Sequence, residues 1–441
     1  MFPRRPKFAH TRGVRVVIVM PQRSYRASEF LDAAERAGAE VWIASDRCHV
    51  LDKRYLWPER SLVIDFYDPD AAVATIVAAG RVGEPVAAVI PAGGEAAAAL
   101  AARAASELGL PSNAPEAMAA ARSKRLLRIA LDDGEVAQPR WFVLEPTQDA
   151  AAAAARVEQE LGWPVVVKPL LLSGSRGVMR ADDAAGLAAC LVRVRALLAH
   201  PERAELDALD GQRVLVEAFV PGPEVALEGL LDDGKLTVLA LFDKPDPLDG
   251  PLFEETLYVT PSRLPAAMQA AIARTTTEAA HAMGLYTGPL HAELRLPPGG
   301  HPVVIEVAAR TIGGLCGRTL RFGTGMSLEE LVVRHALGQG PPRVREGVAA
   351  GVMMLPIPAR GVLVAVTGVE AAAAVQMPGA AIEDVTITAR LGDELVPLPE
   401  GDSYLGFVFA RGDSPAAVEA ALRQAHSNLH FELRKTMLVM P

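Results

Sequence analysis

The sequence predicts a multidomain chain that combines α/β and α+β architecture, and three stretches carry the prediction. Residues 14–112 alternate strand and helix patterns, the rhythm of a parallel, doubly wound sheet. The stretch HAELRLPPGGHPVVIEVAARTIGG, His291 to Gly314, reads as two strands folded about a Pro/Gly turn. From about residue 350, short strand patterns followed by one capped helix describe a smaller α+β tail. A length of 441 residues, 50% of them hydrophobic, suggests two to four domains with a large core.

The first strand is VRVVIVM, an apolar run suited to a sheet covered on both faces. SEFLDAAERAG reads as a helix, EVWIAS as a strand and DAAVATIVAAGRVG as a helix. VAAVIPAGGE is a strand that runs into a glycine loop, and AAAALAARAASELG is a helix ending at Gly109. Ligands of such sheets bind beyond the carboxyl ends of strands, which places the PAGGE loop for contact. Glu95 on that loop has two readings: a partner for an ammonium group, or a charge that complements a helix N-terminus. LPSNAPEAMAAARSKRLLRIAL follows as a Pro-rich link and a helix, on which Lys124 by itself reads as one of several solvated basic residues.

PRWFVLE is the next strand, DAAAAAARVEQEL a helix, and PVVVKP a strand ending at Lys168. The loop SGSRGV then presents Ser173, Gly174, Ser175, Gly177 and Val178. Its glycines let backbone N–H groups approach phosphate oxygens, and its serines add hydroxyl donors. It lacks the G-K-[ST] of a Walker A loop, and a Gly/Ser hairpin turn is the competing reading. QRVLVEAFVPGPEVALEGLL is strand, turn and strand, with Glu217 and Glu224 on either side of the turn. KLTVLALFDKPDPLDGPLFEETLYVTP reads as a strand and a long loop, PAAMQAAIARTTTEAAHAMGL as a helix, and MSLEELVVRHALGQ as a helix after the hairpin. The tail holds the strands GVMMLPIP, GVLVAVTG, VTITARLGDEL and YLGFVFARG, then SPAAVEAALRQAHSNL, a helix capped by Ser414.

The hairpin poses the chemical question. Glu293 lies in its first strand, Glu306 in its second, and Arg310 just beyond. A lone strand glutamate usually faces water. Two that lie close across a ladder repel each other, so a cation is expected between them. Carboxylate oxygens without a Cys/His cluster suit Mg²⁺, which takes one or two protein carboxylates plus phosphate oxygens. Lys168 and the SGSRGV loop offer the phosphate cradle that such a site requires.

Composition narrows the classes. A net charge of −9 without a long basic block argues against nucleic acid as the main partner. Cys48, Cys190 and Cys316 are too widely spaced for a disulfide framework or a zinc pattern, and a reducing cytoplasm fits them. Cys316, near Arg310, reads as a small core residue, with a reactive thiol as the rival reading. The basic N-terminus leads into VVIVM, too short for a signal sequence, and no run reaches the roughly 18 apolar residues of a membrane span.

Taken in order, these segments resemble the ATP-grasp superfamily of carboxylate–amine ligases, over most of the chain. Within it, GPLFEETLYVTPSRLP, IEVAARTIGG and LPEGDSYLGFVFARGDSPAAVEAALRQAH are similar to the dipeptide-forming L-amino-acid ligases of the bacilysin-synthetase type. The resemblance implies an N-terminal α/β (pre-ATP-grasp) domain over 1–112, an ATP-grasp domain over 113–345 with a lid near 140–220, and a C-terminal α+β domain over 346–441. It implies ATP and Mg²⁺ as cofactors, with Mn²⁺ able to substitute. Lys124 and Lys168 would bind phosphates and Ser173–Val178 would be the flap over them. Glu217, with the backbone of Ala218, Phe219 and Val220, would hold adenine, and Glu224 the ribose. Glu293 and Glu306 would be metal ligands, and Arg310 would stabilise charge on the reacting carboxylate. Glu95, Glu255, His291, Gly313 and Gly314 fall on the substrate side, the two glycines leaving room for a bulky group. Many members carry Asn two residues after the second glutamate. Ala308 stands there instead, which departs from a full two-metal set, although the form E-x-A-A-R fits the dipeptide-ligase branch.

The implied reaction joins two amino acids, or an acid and an amine, through an acyl phosphate, with neither nucleic acid nor membrane as partner and a homodimer left open. The alternatives are another ATP-grasp ligase, such as a biotin-carboxylase-like or purine-pathway carboxylase, and a non-catalytic nucleotide-binding regulator.

Overall fold

The computed structural model describes residues 13–21, 24, 26–46, 58–199 and 210–435; Cys48 lies outside them. Strands β1 (Arg15–Val19), β2 (Glu40–Ser45), β3 (Ser61–Val63) and β4 (Val86–Pro91) form a parallel sheet in the order β3-β2-β1-β4. Helices α1 (Ala27–Arg36), α2 (Pro69–Gly80) and α3 (Glu95–Glu107) accompany them. Successive side chains of β1 point to opposite faces. Val16 and Ile18 pack with Phe30 and Leu31 of α1, and Val17 and Val19 with Val73, Ile76 and Leu100 of α2 and α3. Both faces are covered, which explains the unbroken apolar run. Each such side chain contributes about 1.5–3 kcal/mol by leaving water. Asp68 caps α2 by accepting from the Ala71 N–H, with Pro69 in the first turn.

The helix expected after the Pro-rich link is two helices, α4 (Pro115–Arg122) and α5 (Lys124–Asp133). The break falls at Ser123, which has extended backbone and whose hydroxyl accepts from the Leu126 N–H. A serine that satisfies a helix N-terminus this way competes with continuing the helix before it. The consequence is that Lys124 opens α5, a place where the helix dipole disfavours a cation.

Strands β5 (Trp141–Leu144), β6 (Val165–Pro169), β7 (Met179–Ala181) and β8 (Val214–Ala218) make a separate antiparallel sheet in the order β5-β8-β6-β7. Helices α6 (Ala150–Glu160) and α7 (Ala184–Leu198) pack on it through Ala153, Val157, Leu187, Leu191 and Val194. The sequence reading gave no element to α7. Its signal is present: Asp183 caps it, and Leu187, Cys190, Leu191, Val194 and Leu198 form one buried helical stripe.

The remaining elements are β9 (Glu224–Asp232), β10 (Lys235–Asp243), β11 (Leu257–Thr260), α8 (Ala266–Ala282), β12 (Gly288–Arg295), β13 (Val303–Ala308), β14 (Arg321–Phe322), β15 (Met326–Ser327) and α9 (Leu328–Ala336). After them come β16 (Ala349–Leu355), β17 (Gly361–Thr367), α10 (Val369–Ala373), β18 (Gln376–Met377), β19 (Ala380–Ile387), β20 (Glu394–Leu395), β21 (Gly406–Gly412), α11 (Pro415–Asn428) and β22 (His430–Arg434). Nine of these strands form one antiparallel sheet, β13-β12-β9-β10-β11-β16-β21-β19-β18. The sheet runs across residue 345 without a seam. The joint is β11, fully buried, which pairs with β16 from Leu257↔Met353 to Thr260↔Ala350. The sequence pattern by itself places β11 inside a long loop. Among the described residues no helix is long and apolar enough to cross a membrane.

Candidate active site

The hairpin β12–β13 forms as expected, and its register puts Glu293 opposite Glu306. Directly paired residues share a face, so the two carboxylates border the same space. Glu306 lies 3.7 Å from the Lys124 ammonium, and Glu293 lies 3.1 Å from Lys244 and 3.4 Å from His291 Nε2. Burial alone would push the Glu293 carboxyl up, but Lys244 and His291 hold it well below its ordinary value. Ala308 sits opposite His291, two pairs along the hairpin.

A basic floor faces the hairpin. Lys124 donates to the Leu172 carbonyl at 2.7 Å, and Lys168, at the end of β6, reaches Glu217 at 2.6 Å. The other Glu217 oxygen accepts from Arg128 Nε, also at 2.6 Å, and Arg128 donates further to the Val304 and Ile305 carbonyls. Glu217 is fully enclosed, so its side chain is engaged in fixing Lys168 and Arg128, and a ligand would meet the backbone at Ala218–Val220 instead. Burial pushes the Glu217 carboxyl up, yet the two cations outweigh it and bring it down to about 2.

A stability prediction follows from that triad. Glu217→Gln leaves two buried cations without their counter-charge, at a cost of about 3–5 kcal/mol. Because the folded-state value lies below the ordinary 4.5, the carboxylate's contribution is complete above pH 4.5 and is lost as pH falls towards 2. Urea denaturation across that range should show the gap between wild type and variant closing on the acid side. A gap that does not change with pH contradicts the assignment.

The SGSRGV loop borders the same cavity as the two lysines. Gly174, Ser175 and Gly177 have φ of 64°, 56° and 73°. At Gly177 a Cβ would also lie 2.6 Å from Pro169 Cγ, so glycine is required there. The loop is latched to residues 399–402. The Gly177 N–H donates to the Pro399 carbonyl at 2.8 Å, Arg176 to the Glu400 carbonyl at 2.7 Å and to Asp402 at 2.9 Å. Arg193 of α7 adds a forked pair to the Glu400 carboxylate at 2.9 and 3.0 Å.

Near Lys124 and Glu306, Arg310 pairs with Glu95, with Nη2 at 2.7 Å and Nε at 2.9 Å from the same oxygen. Burial pushes the Glu95 carboxyl up, but Arg310 more than offsets this and holds it below its usual value. Glu228, fully buried, accepts from the Ile312 N–H and from His291 Nδ1 at 3.2 Å. Burial lowers His291, while Glu228 and Glu293 raise it to about 9, so it carries its proton at neutral pH. Arg26 ties Thr311, Ile312 and Glu329 together from the N-terminal unit. The room expected at the two glycines is divided. A Cβ at Gly313 would meet nothing within 4 Å, whereas at Gly314 it would lie 2.9 Å from the Phe407 ring. Burial drives the Cys316 thiol far up, which keeps it protonated and inert, as a core residue should be.

One cavity of about 400 Å³ joins these parts. Every candidate residue read from the sequence borders it except Gly177. The reading missed Lys244, Arg128, Arg295, Glu228, Tyr258 and Tyr404. None belongs to a local motif. Most become visible only when elements distant in sequence meet, as Arg128 of α5 and Glu217 of β8 do across 89 residues.

With this geometry the comparisons with known proteins are unambiguous about class. Residues 161–319 match the family model of the ATP-grasp domain, and residues 353–434 that of L-amino acid ligase C-terminal domain 2. The chain thus carries an ATP-grasp domain and an L-amino acid ligase C-terminal domain, the make-up of a C–N bond-forming ligase. It is 26% identical to an L-amino acid ligase from Bacillus licheniformis whose crystal structure superposes with a TM-score of 0.75, covering 96% of this chain and 99% of that one. It is also 26% identical to alanine–anticapsin ligase of Bacillus subtilis (strain 168) over 247 residues, 53% of this chain and 50% of that protein. The chain thus matches about half the length of that curated relative. The biotin carboxylase domain of Hydrogenobacter thermophilus 2-oxoglutarate carboxylase, in complex with MgADP and bicarbonate, is 16% identical with a TM-score of 0.65, covering 95% of this chain and 91% of that one. That likeness shows the fold alone.

Proposed function

We propose that this protein is an ATP-dependent L-amino-acid ligase that joins the carboxylate of one amino acid to the amine of another through an acyl phosphate. One observation carries the reading. A single cavity holds a facing carboxylate pair and two lysines together with a half-buried Arg–Glu pair close beside them. The first set suits a metal-bound triphosphate. The second is the charge mirror of an amino-acid zwitterion, with Arg310 for a carboxylate and Glu95 for an ammonium.

Lys124 sits at the N-terminus of α5 against the dipole's preference. An anion there gains from both the ammonium and the unpaired helix N–H groups. Glu293 and Glu306 are the residues that would hold Mg²⁺: two facing oxygen donors beside a phosphate cradle are what this ion takes. Bound there it would offset charge on the transferring phosphoryl group. The chain's own residues do the rest. Lys124 and Lys168 orient the phosphates, and Arg310 presents the acid substrate's carboxylate for attack on the γ-phosphorus, releasing ADP. The amine then attacks the acyl carbon, the oxygen charge of the tetrahedral species is taken by Arg310, and phosphate leaves. The latched flap keeps water from the acyl phosphate.

The test is a phosphate-release screen over pairs of unprotected L-amino acids with mass spectrometry on the hits. Amide products support the reading. Phosphate release that depends on bicarbonate, with carboxylated product and no amide, overturns it.

The latch gives a second prediction. Removing both arginines, Arg176→Ala with Arg193→Ala, should let water in, so that released phosphate exceeds amide severalfold, and should speed protease nicking at 173–178. In the wild type Mg–ATP should slow that nicking. A ratio that stays at one phosphate per amide in the double variant contradicts the role given to the latch.

A further inference from the structure

Lys244 follows directly on β10, and its side chain is buried among three carboxylates. Its ammonium lies 2.7 Å from Glu224 Oε1 and 3.1 Å from Glu293 Oε1, and also bonds Glu255 Oε1. One oxygen from each of the three lies within 4.8 Å of the others. Three carboxylates at that spacing form a donor set for a hard divalent cation. Here an ammonium stands among them. It has three N–H donors and three carboxylate acceptors, so no donor remains for a ligand.

The surroundings fix this arrangement. The second oxygen of Glu224 accepts from Arg295 at 3.0 Å, and Tyr258 donates its hydroxyl to Glu255 at 2.6 Å. Both Lys244 and His291 approach the same oxygen of Glu293, Oε1, which sets the orientation of that carboxylate. The hairpin offers no further oxygen donor at Ala308, the position opposite His291. The pattern is that of a site whose cation count is reduced on one side and supplied by the protein on the other.

We propose that Lys244 is the built-in cation of this cluster: it fills the place a metal ion would take among Glu224, Glu255 and Glu293, and so confines Mg²⁺ to the face that Glu293 shares with Glu306. Lys244 is on this account a positioning residue, acting through Glu293. The inference rests on the reading of Glu293 and Glu306 as metal ligands.

Mn²⁺ serves as the probe, counted by electron paramagnetic resonance on the full chain. Without nucleotide, wild type should show no tightly held Mn²⁺. With ADP it should hold Mn²⁺ in a manner lost in Glu306→Gln but unaffected by Glu255→Gln. Lys244→Met should gain about one nucleotide-free Mn²⁺ per chain, bound at least tenfold more tightly than in wild type, and adding Glu255→Gln should remove it. In kinetics Lys244→Met should raise the Mg²⁺ concentration needed for half-maximal rate at least tenfold, which a merely structural lesion would not do selectively. A folded Lys244→Met chain with no added Mn²⁺ overturns the proposal. So does tight nucleotide-free Mn²⁺ in wild type that Glu224→Gln removes, an arm that needs no Lys244 variant to fold. If the amino-acid screen fails while these metal counts hold, the substrate reading falls and the role of Lys244 stands.

Discussion

Glu306→Gln should lower kcat for phosphate release at least a thousandfold while the protein stays folded. The expectation starts from the hairpin register, which sets Glu306 opposite Glu293. Two carboxylates facing one space can share a hard cation, and an amide offers it one neutral oxygen in place of a charged ligand. A metal that stabilises the transferring phosphoryl group supplies several kcal/mol, and a thousandfold is about 4 kcal/mol. The fold should survive because Glu306 is only half-buried and its partner Lys124 stands 3.7 Å away. The substitution strands no fully enclosed charge, unlike Glu217→Gln. Steady-state phosphate release at saturating ATP, with thermal unfolding alongside, checks both halves. A near-wild-type rate would remove Glu306 from the metal site.

Arg310→Ala should cost about 2.7–4 kcal/mol of transition-state stabilisation, roughly a hundredfold to a thousandfold in kcat, the amount one oxyanion donor contributes. The variant also frees Glu95, whose carboxyl Arg310 holds down against burial. That side effect can be separated from the catalytic one. Arg310→Ala combined with Glu95→Gln should recover stability lost through the unpaired carboxylate without recovering rate. Arg310→Lys keeps charge but not the guanidinium fork, so it should rescue only partly. A double variant that regains most of the wild-type rate would show that Arg310 matters for structure alone.

The parts of this site that could be read from the chain are those whose signal is local. The run VRVVIVM announces a strand covered on both faces, and the Pro/Gly turn between two alternating segments fixes the hairpin and hence the Glu293–Glu306 pair. Lys168 at a strand end and the glycine flap are likewise short-range features. What stayed hidden depends on distant partners or on a competition within one helix. Ser123 sits in an unbroken helical pattern, and only its capping of Leu126 reveals two helices and gives Lys124 its place. Lys244 in LFDKPD looks like any strand-end lysine until β9, β12 and the segment before β11 bring Glu224, Glu293 and Glu255 around it. The latch joins residues more than 200 apart, and neither SGSRGV nor LPEGDS indicates the other. The helix Ala184–Leu198 is a different case, since its stripe was legible.

The central claim is that a substrate carboxylate takes the γ-phosphoryl group and then passes its acyl carbon to an amine. Oxygen labelling follows that transfer atom by atom. With the acid substrate's carboxylate enriched in ¹⁸O and a productive amino-acid pair from the screen, each amide formed should be matched by one ADP and one phosphate carrying a single ¹⁸O, read by ³¹P NMR. Label in AMP, AMP and pyrophosphate as stoichiometric products, or phosphate free of label would contradict the account.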